Sequence, residues 1–364
     1  MKLGVYARGL SGMGGVKQYI ESMCHALVRA LPSTDELTIF HNCKAPLFFG
    51  AAPHVHEVLL GSDGNLACDF YHGPKAAAKL DLDVIWYTKY VVPFGIRAKT
   101  VTTVHDMAYY MPDLKAYPLG DTLYMRTLIR NSCRRADAVV AVSTNTQKDI
   151  HDILGVPDEK VHVIPEAADE RYRTLDAAEE IAAFRQKMGL PERFILFTGG
   201  LSPRKNLVRL IDAYAFIAHR IPHALVLTGG KGWRNRDITD RIEKTPNVIR
   251  LGFVPDEDMP LLYNAAELFV YPSLYEGFGL PVLEAARCGT PVICASGSSL
   301  TEVGGDGVRF IDPSSTDEIA AAILELIENR DLRDRLIAAG YKNANRYSWD
   351  DSANKLLQLA HDLS

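Results

Sequence analysis

The sequence predicts an α/β protein with two domains, each built on a doubly wound parallel β-sheet that helices cover on both faces. Three observations lead to this class. Short, continuously apolar runs recur along the chain, and stretches with helical spacing of apolar residues separate them. This alternation is typical of parallel sheets whose strands are buried on both faces. The third observation is length: the chain has 364 residues, more than the about 250–300 that one hydrophobic core organises.

The first half begins with an apolar run at residues 3–7, which predicts a strand, followed by a loop at 8–15 that contains four glycines. A helix is predicted after this loop, at 16–29. Further strands are predicted in the first half at 37–40, 84–87, 101–104 and 138–142.

The second half repeats the same order of elements. Its strands are predicted at 194–198, 224–228, 248–252, 268–271 and 291–294, and the stretch from 316 to the last residue is helical by pattern. A polar, helix-prone segment at 165–191 marks the domain boundary. We therefore expect a first domain at 1–168, a second at 169–345, and a C-terminal helix at 346–364 that packs back on the first domain.

Composition excludes several classes of protein. The chain is 47% hydrophobic and 23% charged, which is an ordinary globular composition and not that of a disordered or fibrous protein. A formal net charge of −5 argues against a protein that binds mainly nucleic acid. The six cysteines lack paired metal-ligand spacing, and no apolar run reaches the about 18–20 residues of a membrane span. These features predict a reduced, cytoplasmic protein.

Two loops after predicted strands carry residues that suit an anion. Gly14 and Gly15 end the loop before the first helix, where a bare backbone and a helix N-terminus favour a phosphate or a sugar, although a simple tight turn explains them equally well. Arg204 and Lys205 follow the strand at 194–198 and combine a planar guanidinium with a compact ammonium. Such a pair suits a diphosphate, although the start of a solvated helix could also carry it.

The strongest candidate segment follows the strand at 268–271. Glu276 and Glu284 lie on either side of a loop in which Gly277 and Gly279 leave the backbone bare. Both carboxylates could converge on the carboxyl end of the sheet, where parallel sheets bind ligands, and accept hydrogen bonds from sugar hydroxyls. A retaining glycosidase would also use two carboxylates, but that alternative leaves the cationic pair and the glycine loops unexplained.

Glu276 and Glu284, with seven residues between them, resemble the E-x₇-E signature of family four of the retaining glycosyltransferases, whose GT-B fold has two facing Rossmann-like domains. The segment with Arg204 and Lys205 resembles the diphosphate loop of that family. His105, together with the Gly14 loop, occupies a matching position in the first half. The chain departs from the family after Pro165, where it has Glu166 in place of the usual Asn.

The resemblance implies a role for each matching residue. Glu284 would bind the ribose of a nucleotide, and Glu276 would bind hydroxyls of the donor sugar, which His105 would also reach. The diphosphate and the sugar would contact cationic side chains and backbone amides, namely Gly14, Gly15, Arg204, Lys205, Gly277, Phe278, Gly279 and Leu280. The family also implies retention by front-face attack, with the departing phosphate oxygen taking the proton of the acceptor. No metal and no cofactor are expected, because the cations supply the positive charge.

The donor predicted first is GDP-mannose, followed by UDP-hexoses. The segment from Gly229 to Trp233 resembles bacterial mannosyltransferases that use GDP-mannose, and it places Lys231 near a base or phosphate. The predicted function is transfer of a hexose, with mannose first, to a glycan or lipid-linked acceptor in surface polysaccharide synthesis. Two alternatives stay open: a GT-B epimerase or hydrolase of the nucleotide sugar, and a non-catalytic partner subunit that binds it.

A row of arginines lies on one predicted helix of the first half: Arg126, Arg130, Arg134 and Arg135. A solvated helix explains this spacing. The alternative is a basic strip that contacts lipid phosphates or the diphosphate of a lipid-linked glycan, which would place the protein on the inner face of the membrane.

Overall fold

The structure is a computed structural model that describes residues 1–10, 12, 14–43, 49, 52–61, 65–230, 232 and 235–364. Its internal contacts divide the chain into two compact units. The N-terminal unit comprises Met1–Tyr110, Leu119–Glu166 and Ser348–Ser364, and the C-terminal unit comprises Met111–Pro118 and Ala167–Tyr347. The chain passes from the N-terminal to the C-terminal unit after residue 166 and returns after residue 347. Each of these points lies two residues from a domain boundary proposed above.

The N-terminal unit contains a seven-stranded sheet in the order β3-β2-β1-β4-β5-β6-β7. Every recorded strand pair in it is parallel. Its strands are β1 Lys2–Tyr6, β2 Glu36–His41, β3 Val55–Leu59, β4 Val84–Tyr87, β5 Lys99–Val104, β6 Ala138–Ala141 and β7 Val161–Val163. The central strands are buried, as their apolar sequences require.

Helices flank this sheet. They are α1 Gly15–Ala30, α2 Asn65–Ala67, α3 Gly73–Ala77, α4 Leu119–Arg135, α5 Thr144–Leu154 and α14 Trp349–Leu363, with a π-helix at Cys68–His72 between α2 and α3. Local chemistry sets the ends of α5: the hydroxyl of Ser143 accepts the N–H of Thr146, and Gly155 ends the helix with φ at 66°. The C-terminal helix α14 packs against α1, where the rings of Tyr19 and Trp349 meet at 5.7 Å.

The C-terminal unit contains a six-stranded parallel sheet in the order β10-β9-β8-β11-β12-β13. Its strands are β8 Phe194–Thr198, β9 Ala224–Thr228, β10 Val248–Gly252, β11 Leu268–Tyr271, β12 Val292–Ala295 and β13 Val308–Ile311. Its helices are α6 Ala178–Met188, α7 Leu207–Ile217, α8 Arg236–Lys244, α9 Met259–Ala265, α10 Leu280–Arg287, α11 Ser298–Gly304, α12 Thr316–Glu328 and α13 Arg330–Ala344.

The predicted fold class is confirmed, with two doubly wound parallel sheets and a helical C-terminal segment. Three strands were not predicted, and all three are edge strands: β3, β7 and β13. Edge strands keep one side toward solvent, so they lack the continuous apolar run of a central strand; β3, for example, is half-buried to exposed along its length. None of the described helices is both long enough and apolar enough to span a bilayer.

Candidate functional site

Glu276 lies in the loop between β11 and α10, and two cationic side chains bind its buried carboxylate. The guanidinium of Arg204 donates to Oε2 at 2.7 Å, and the ammonium of Lys205 donates to Oε1 at 2.6 Å. The structure therefore brings together three residues that the sequence analysis assigned to one site. They lie at the carboxyl ends of β8 and β11, which are neighbours in the sheet.

Hydroxyl groups complete the surroundings of the Glu276 carboxylate. Tyr271 donates to Oε1 at 3.1 Å, and Ser273 donates a further hydrogen bond to the same oxygen. Burial alone would raise the pKa of Glu276, but the charges of Arg204 and Lys205 outweigh it and lower this pKa to about 2. The carboxylate is thus an ionised acceptor and not a proton donor at neutral pH.

The segment that carries Arg204 and Lys205 is fixed to the loop after β11. Asn206, with φ at 60°, donates its side-chain amide to the carbonyl of Pro272 at 3.1 Å. The N–H of Leu274 donates to the carbonyl of Arg204 at 2.9 Å. Both loops therefore hold their charged side chains in one arrangement before a ligand binds, which is what electrostatic stabilisation of a reaction needs.

Glycines allow the loops after β8 and β9 to approach backbone to backbone. The N–H of Gly199 donates to the carbonyl of Thr228 at 2.9 Å, and the N–H of Leu201 donates to that of Gly230 at 3.1 Å. A Cβ atom at Gly229 would lie 2.1 Å from the carbonyl oxygen of Gly199. Lys231, the predicted contact to a base or phosphate, lies outside the described residues.

Two serines from the start of α11 fix the backbone of the loop that begins at Glu276. The N–H of Glu276 donates to Oγ of Ser298 at 3.2 Å, and Oγ of Ser299 lies 2.9 Å from the Glu276 carbonyl and 2.6 Å from that of Phe278. Neither serine was predicted as a site residue. The available signal was their position at the start of the segment that follows the loop after the predicted strand at 291–294.

The rest of this loop is closely packed. The side chains of Phe278 and Leu280 are buried, and the Phe278 ring meets Tyr347 edge-on at 5.5 Å. Gly279 has φ at 121°, and a Cβ atom there would lie 2.6 Å from Leu300. Side chains of the loop therefore point into the unit. The loop can offer a ligand only its backbone groups. Contacts between a ligand and the backbone amides stay a prediction for Gly277, Phe278, Gly279 and Leu280.

Glu284 lies on α10 in a different electrostatic setting. Its buried carboxylate accepts a hydrogen bond from the hydroxyl of Tyr263 at 2.9 Å, and burial together with its negative charge raises the pKa of Tyr172. Burial and the negative charge of Glu284 raise the pKa of Tyr263 well above its ordinary value. Glu276 thus faces cations whereas Glu284 faces tyrosine hydroxyls, so the two carboxylates are suited to different partners.

His105 lies directly after β5 in the N-terminal unit, and its imidazole is buried. Its Nε2–H donates to the carbonyl oxygen of Thr88 at 2.9 Å, and Nδ1 lies 3.3 Å from Oε1 of Glu166. The rings of Tyr19 and Tyr90 meet it edge-on at 4.7 and 5.9 Å. Both ring nitrogens thus bind groups of the same unit.

The glycine loop of the N-terminal unit has room around its end. Gly14 has φ at 86°, a conformation that favours glycine, and α1 begins at Gly15. A Cβ atom at either position would meet no atom within 4 Å among the described residues. Binding of a phosphate or sugar there stays a prediction.

The arginine row on α4 is largely used within the unit. Arg126 donates to the carbonyl of Tyr109 at 2.7 Å, and Arg130 donates to that of Ile153 at 3.5 Å. Arg135 donates to the carbonyl of Val92 at 2.5 Å and lies over a phenylalanine ring. The fourth member, Arg134, is exposed. These contacts give three of the four arginines a structural role, so the row does not support the predicted membrane strip.

Two parallel-sheet units, with an acidic and cationic constellation at the strand ends of one, define a glycosyltransferase of the GT-B class. Family models agree: residues 13–172 match Glycosyltransferase Family 4, and residues 180–343 match Glycosyl transferases group 1. The chain belongs to glycosyltransferase family 4, whose members with this signature are retaining hexosyltransferases.

Bacterial mannosyltransferases are among the relatives. The chain is 32% identical to O-antigen chain mannosyltransferase B of Escherichia coli, over 71% of this chain and 69% of that protein. It is 29% identical to the serotype-specific mannosyltransferase WbdA of Escherichia coli over 75% of this chain, but it spans only 34% of the length of WbdA. Among solved structures, sucrose-phosphate synthase from Thermosynechococcus elongatus superposes with a TM-score of 0.80 at 20% identity, over 100% of this chain and 98% of that one. This likeness shows the shared fold.

Proposed function

We propose that this glycosyltransferase transfers mannose from GDP-mannose to a glycan or lipid-linked acceptor in the synthesis of a surface polysaccharide. The observation that carries the proposal is the contact of Glu276 with Arg204 and Lys205 at the carboxyl end of the sheet. The names of the two Escherichia coli relatives support mannose as the sugar and a surface polysaccharide as the product.

In the proposed reaction, the bond between the anomeric carbon and the diphosphate oxygen breaks, and a hydroxyl of the acceptor bonds to that carbon on the same face. Negative charge grows on the diphosphate while positive charge grows on the sugar. Arg204 and Lys205 stabilise the diphosphate, and because its charge grows toward the transition state, they lower the barrier. The departing phosphate oxygen takes the proton of the acceptor hydroxyl, so no side chain has to act as a base.

The two glutamates bind hydroxyl groups in this proposal. Glu276 is ionised at neutral pH and accepts from hydroxyls of the donor sugar, while it holds the cations in place. Glu284 accepts from the ribose, whose hydroxyls would join or replace the Tyr263 hydroxyl that it binds. His105 contributes to donor-sugar binding from its position after β5, and Gly14 and Gly15 receive a phosphate or sugar oxygen.

We place the reaction in a reducing compartment, the cytoplasm. Cys24, Cys43, Cys68, Cys133, Cys288 and Cys294 are all free thiols. Proteins that rely on disulfides belong to oxidising compartments.

The experiment that tests the role of Glu276 separates binding from transfer. The variant Glu276→Ala is expected to bind GDP within a few-fold of the wild type, because the cations stay, and to lose mannosyl transfer. Glu328→Ala in the same unit, whose exposed carboxylate is 3.6 Å from Arg220, serves as the control and should keep both properties. Full transfer by Glu276→Ala would show that the assigned role is wrong.

A panel of nucleotide sugars tests the donor. A donor that binds the folded protein stabilises it by RT ln(1 + [L]/Kd) and so raises its melting temperature. GDP-mannose is expected to give the largest shift, and a larger shift with a UDP-hexose would overturn the choice of donor. Turnover of the nucleotide sugar without any acceptor would favour an epimerase or hydrolase instead.

A further inference from the structure

Two cationic side chains lie at neighbouring strand ends of the N-terminal unit and have no place in the reaction described above. Arg8 follows β1 by two residues, and Lys89 follows β4 by two residues. Tyr6 and Tyr87 are paired in the parallel register, and Arg8 and Lys89 each follow two residues later. The two cationic residues therefore lie beside one another where β1 and β4 end. Both lie at the carboxyl end of the sheet, where parallel sheets bind ligands, and both are half-buried.

A strained turn holds Lys89 in this position. Tyr90 has φ at 47°, which a non-glycine residue adopts at a cost of about 1–3 kcal/mol. The N–H of Val91 closes the turn on the carbonyl of Lys89 at 2.6 Å, and the N–H of Tyr90 donates to Thr103 at 2.8 Å. The carbonyl of Thr88, directly before Lys89, binds His105. Strain of this kind concentrates at functional sites, and here it links Lys89 to a residue already assigned to the reaction.

Lys89 and Arg8 carry N–H groups that the described residues do not bind. Within the described ranges, the ammonium of Lys89 has no hydrogen-bond or ion-pair partner. Arg8 contacts Asp69 through Nε at 2.6 Å, which uses one of the five N–H groups of a guanidinium. Taking a charged group out of water without a partner is costly, so a group that accepts hydrogen bonds from Lys89 is expected here.

The charges around Lys89 indicate that the expected hydrogen-bond acceptor is an anion. Burial and the nearby charge of Arg8 both lower the pKa of Lys89, so the two cations repel one another. The nearest carboxylates already have other donors: Asp69 binds Arg8, and Asp106 accepts the N–H of Ala108 at 3.0 Å. Burial raises the pKa of Asp69 to about 6, which weakens its counter-charge in mildly acidic solution. An anion between Arg8 and Lys89 would relieve their repulsion and satisfy their donors together.

We infer that Arg8 and Lys89 bind a phosphoryl group of the acceptor. Phosphoryl oxygens accept both the planar fork of a guanidinium and the point charge of an ammonium, and they do so with charge-assisted hydrogen bonds. This inference rests on the proposed function, because it assigns the site to the acceptor and leaves the donor diphosphate to Arg204 and Lys205. It names the class of acceptor: a phosphorylated sugar or a sugar linked to a lipid through a diphosphate.

Calorimetric titration of the full chain, saturated with GDP to fill the donor site, tests the inference. The probes are mannose 1-phosphate and geranyl diphosphate, which represent the two sources of a phosphoryl group; the tighter of the two identifies the source. Lys89→Met should lower the affinity for the tighter-binding probe at least tenfold, and Lys89→Arg should keep most of the wild-type affinity. Lys79→Met, which removes an exposed lysine of the same unit, should change nothing.

Two outcomes would overturn the site: saturable binding of neither probe to the wild type, or equal affinity in the wild type and Lys89→Met. Failure of the proposed function looks different. In that case GDP would not stabilise the wild type at all. GDP binding is assigned to the C-terminal unit, so Lys89→Met should leave the stabilisation by GDP unchanged. If GDP does not bind, the titration is repeated with the nucleotide that gives the largest shift in the panel.

Discussion

Oε1 of Glu166 lies 3.3 Å from Nδ1 of His105, and both side chains are buried. The other ring nitrogen, Nε2, faces the carbonyl oxygen of Thr88, which can only accept, so Nε2 carries a proton. Glu166, in the segment after Pro165 where the chain departs from the family, therefore faces the ring nitrogen of His105 that Thr88 does not.

The first prediction concerns this pair. Glu166→Gln keeps the shape of the side chain but removes its charge, so the hold on His105 weakens. Hydrogen bonds to charged groups contribute about 1.5–3 kcal/mol, which corresponds to a loss of roughly 10-fold to 100-fold in kcat. The KM for the donor should change less than kcat, because the nucleotide and the diphosphate are assigned to the C-terminal unit. Initial rates measure both constants, and ¹⁵N resonances of the His105 ring report the loss of its contact with the Glu166 carboxylate.

The chain offers a matched control for this experiment. His41 and Glu57 form a second histidine–glutamate pair in the same unit, with Nε2 and Oε2 at 3.2 Å. It lies on β2 and β3, away from β5 in the sheet order. Glu57→Gln should leave kcat unchanged. Equal losses in Glu57→Gln and Glu166→Gln would mean that Glu166 serves folding and not His105.

The sequence predicted the fold and all of the central strands because buried parallel strands are continuous apolar runs. It also predicted the membership of the Glu276 site, because Arg204, Lys205 and Glu276 each follow a recognisable strand. It did not predict that the cations bind Glu276 directly, since that depends on the side-by-side placement of β8 and β11. Strand order is a long-range property that no local pattern carries.

Hydrogen bonds between polar residues that are far apart in the sequence could also not be predicted. Ser298 and Ser299 fix the Glu276 loop from 22 and 21 residues away along the chain, and serines are too common to stand out. Glu166 was noticed as a departure from the family, but its partner His105 is 61 residues away. Tertiary structure alone pairs such residues.

The second prediction concerns pH and Glu276. Its pKa is lowered from an ordinary 4.5 to about 2, so its ionisation stabilises the folded state above pH 4.5, and this contribution is lost as pH falls toward 2. At neutral pH it amounts to on the order of 3 kcal/mol. Glu276→Gln should therefore lower the melting temperature most above pH 5, with a gap that narrows below pH 4.5. A gap of constant size across this range would contradict the lowered pKa.

The third prediction separates stability from activity. Glu267 lies at the start of β11 and binds Arg193 through two contacts of 2.8 Å, His223 at 2.8 Å and Arg333 at 2.8 Å. These partners hold the pKa of Glu267 well below its ordinary value, and the hydrogen bond with His223 lowers this pKa most. Glu267→Gln breaks a partly buried network and should lower the melting temperature by about 5–10 °C.

The same variant should keep its kcat, because Glu267 precedes its strand whereas Glu276 follows it. Glu328→Gln, which removes one exposed partner of Arg220, should shift the melting temperature by only about 1–2 °C. A large fall in kcat for Glu267→Gln, measured well below its melting temperature, would show that the network supports the reaction.

The fourth prediction uses two adjacent glycines. At Gly229, with φ at 133°, a Cβ atom would lie 2.1 Å from the carbonyl oxygen of Gly199, whereas at Gly230 a Cβ atom would meet nothing within 4 Å in the described part of the unit. Because backbone cannot yield as a flexible side chain can, Gly229→Ala must separate the loops after β8 and β9. It should cost more than about 3 kcal/mol and lower the melting temperature by about 6 °C or more. Gly230→Ala should melt like the wild type, and equal melting temperatures for both variants would show that the two loops do not meet as described.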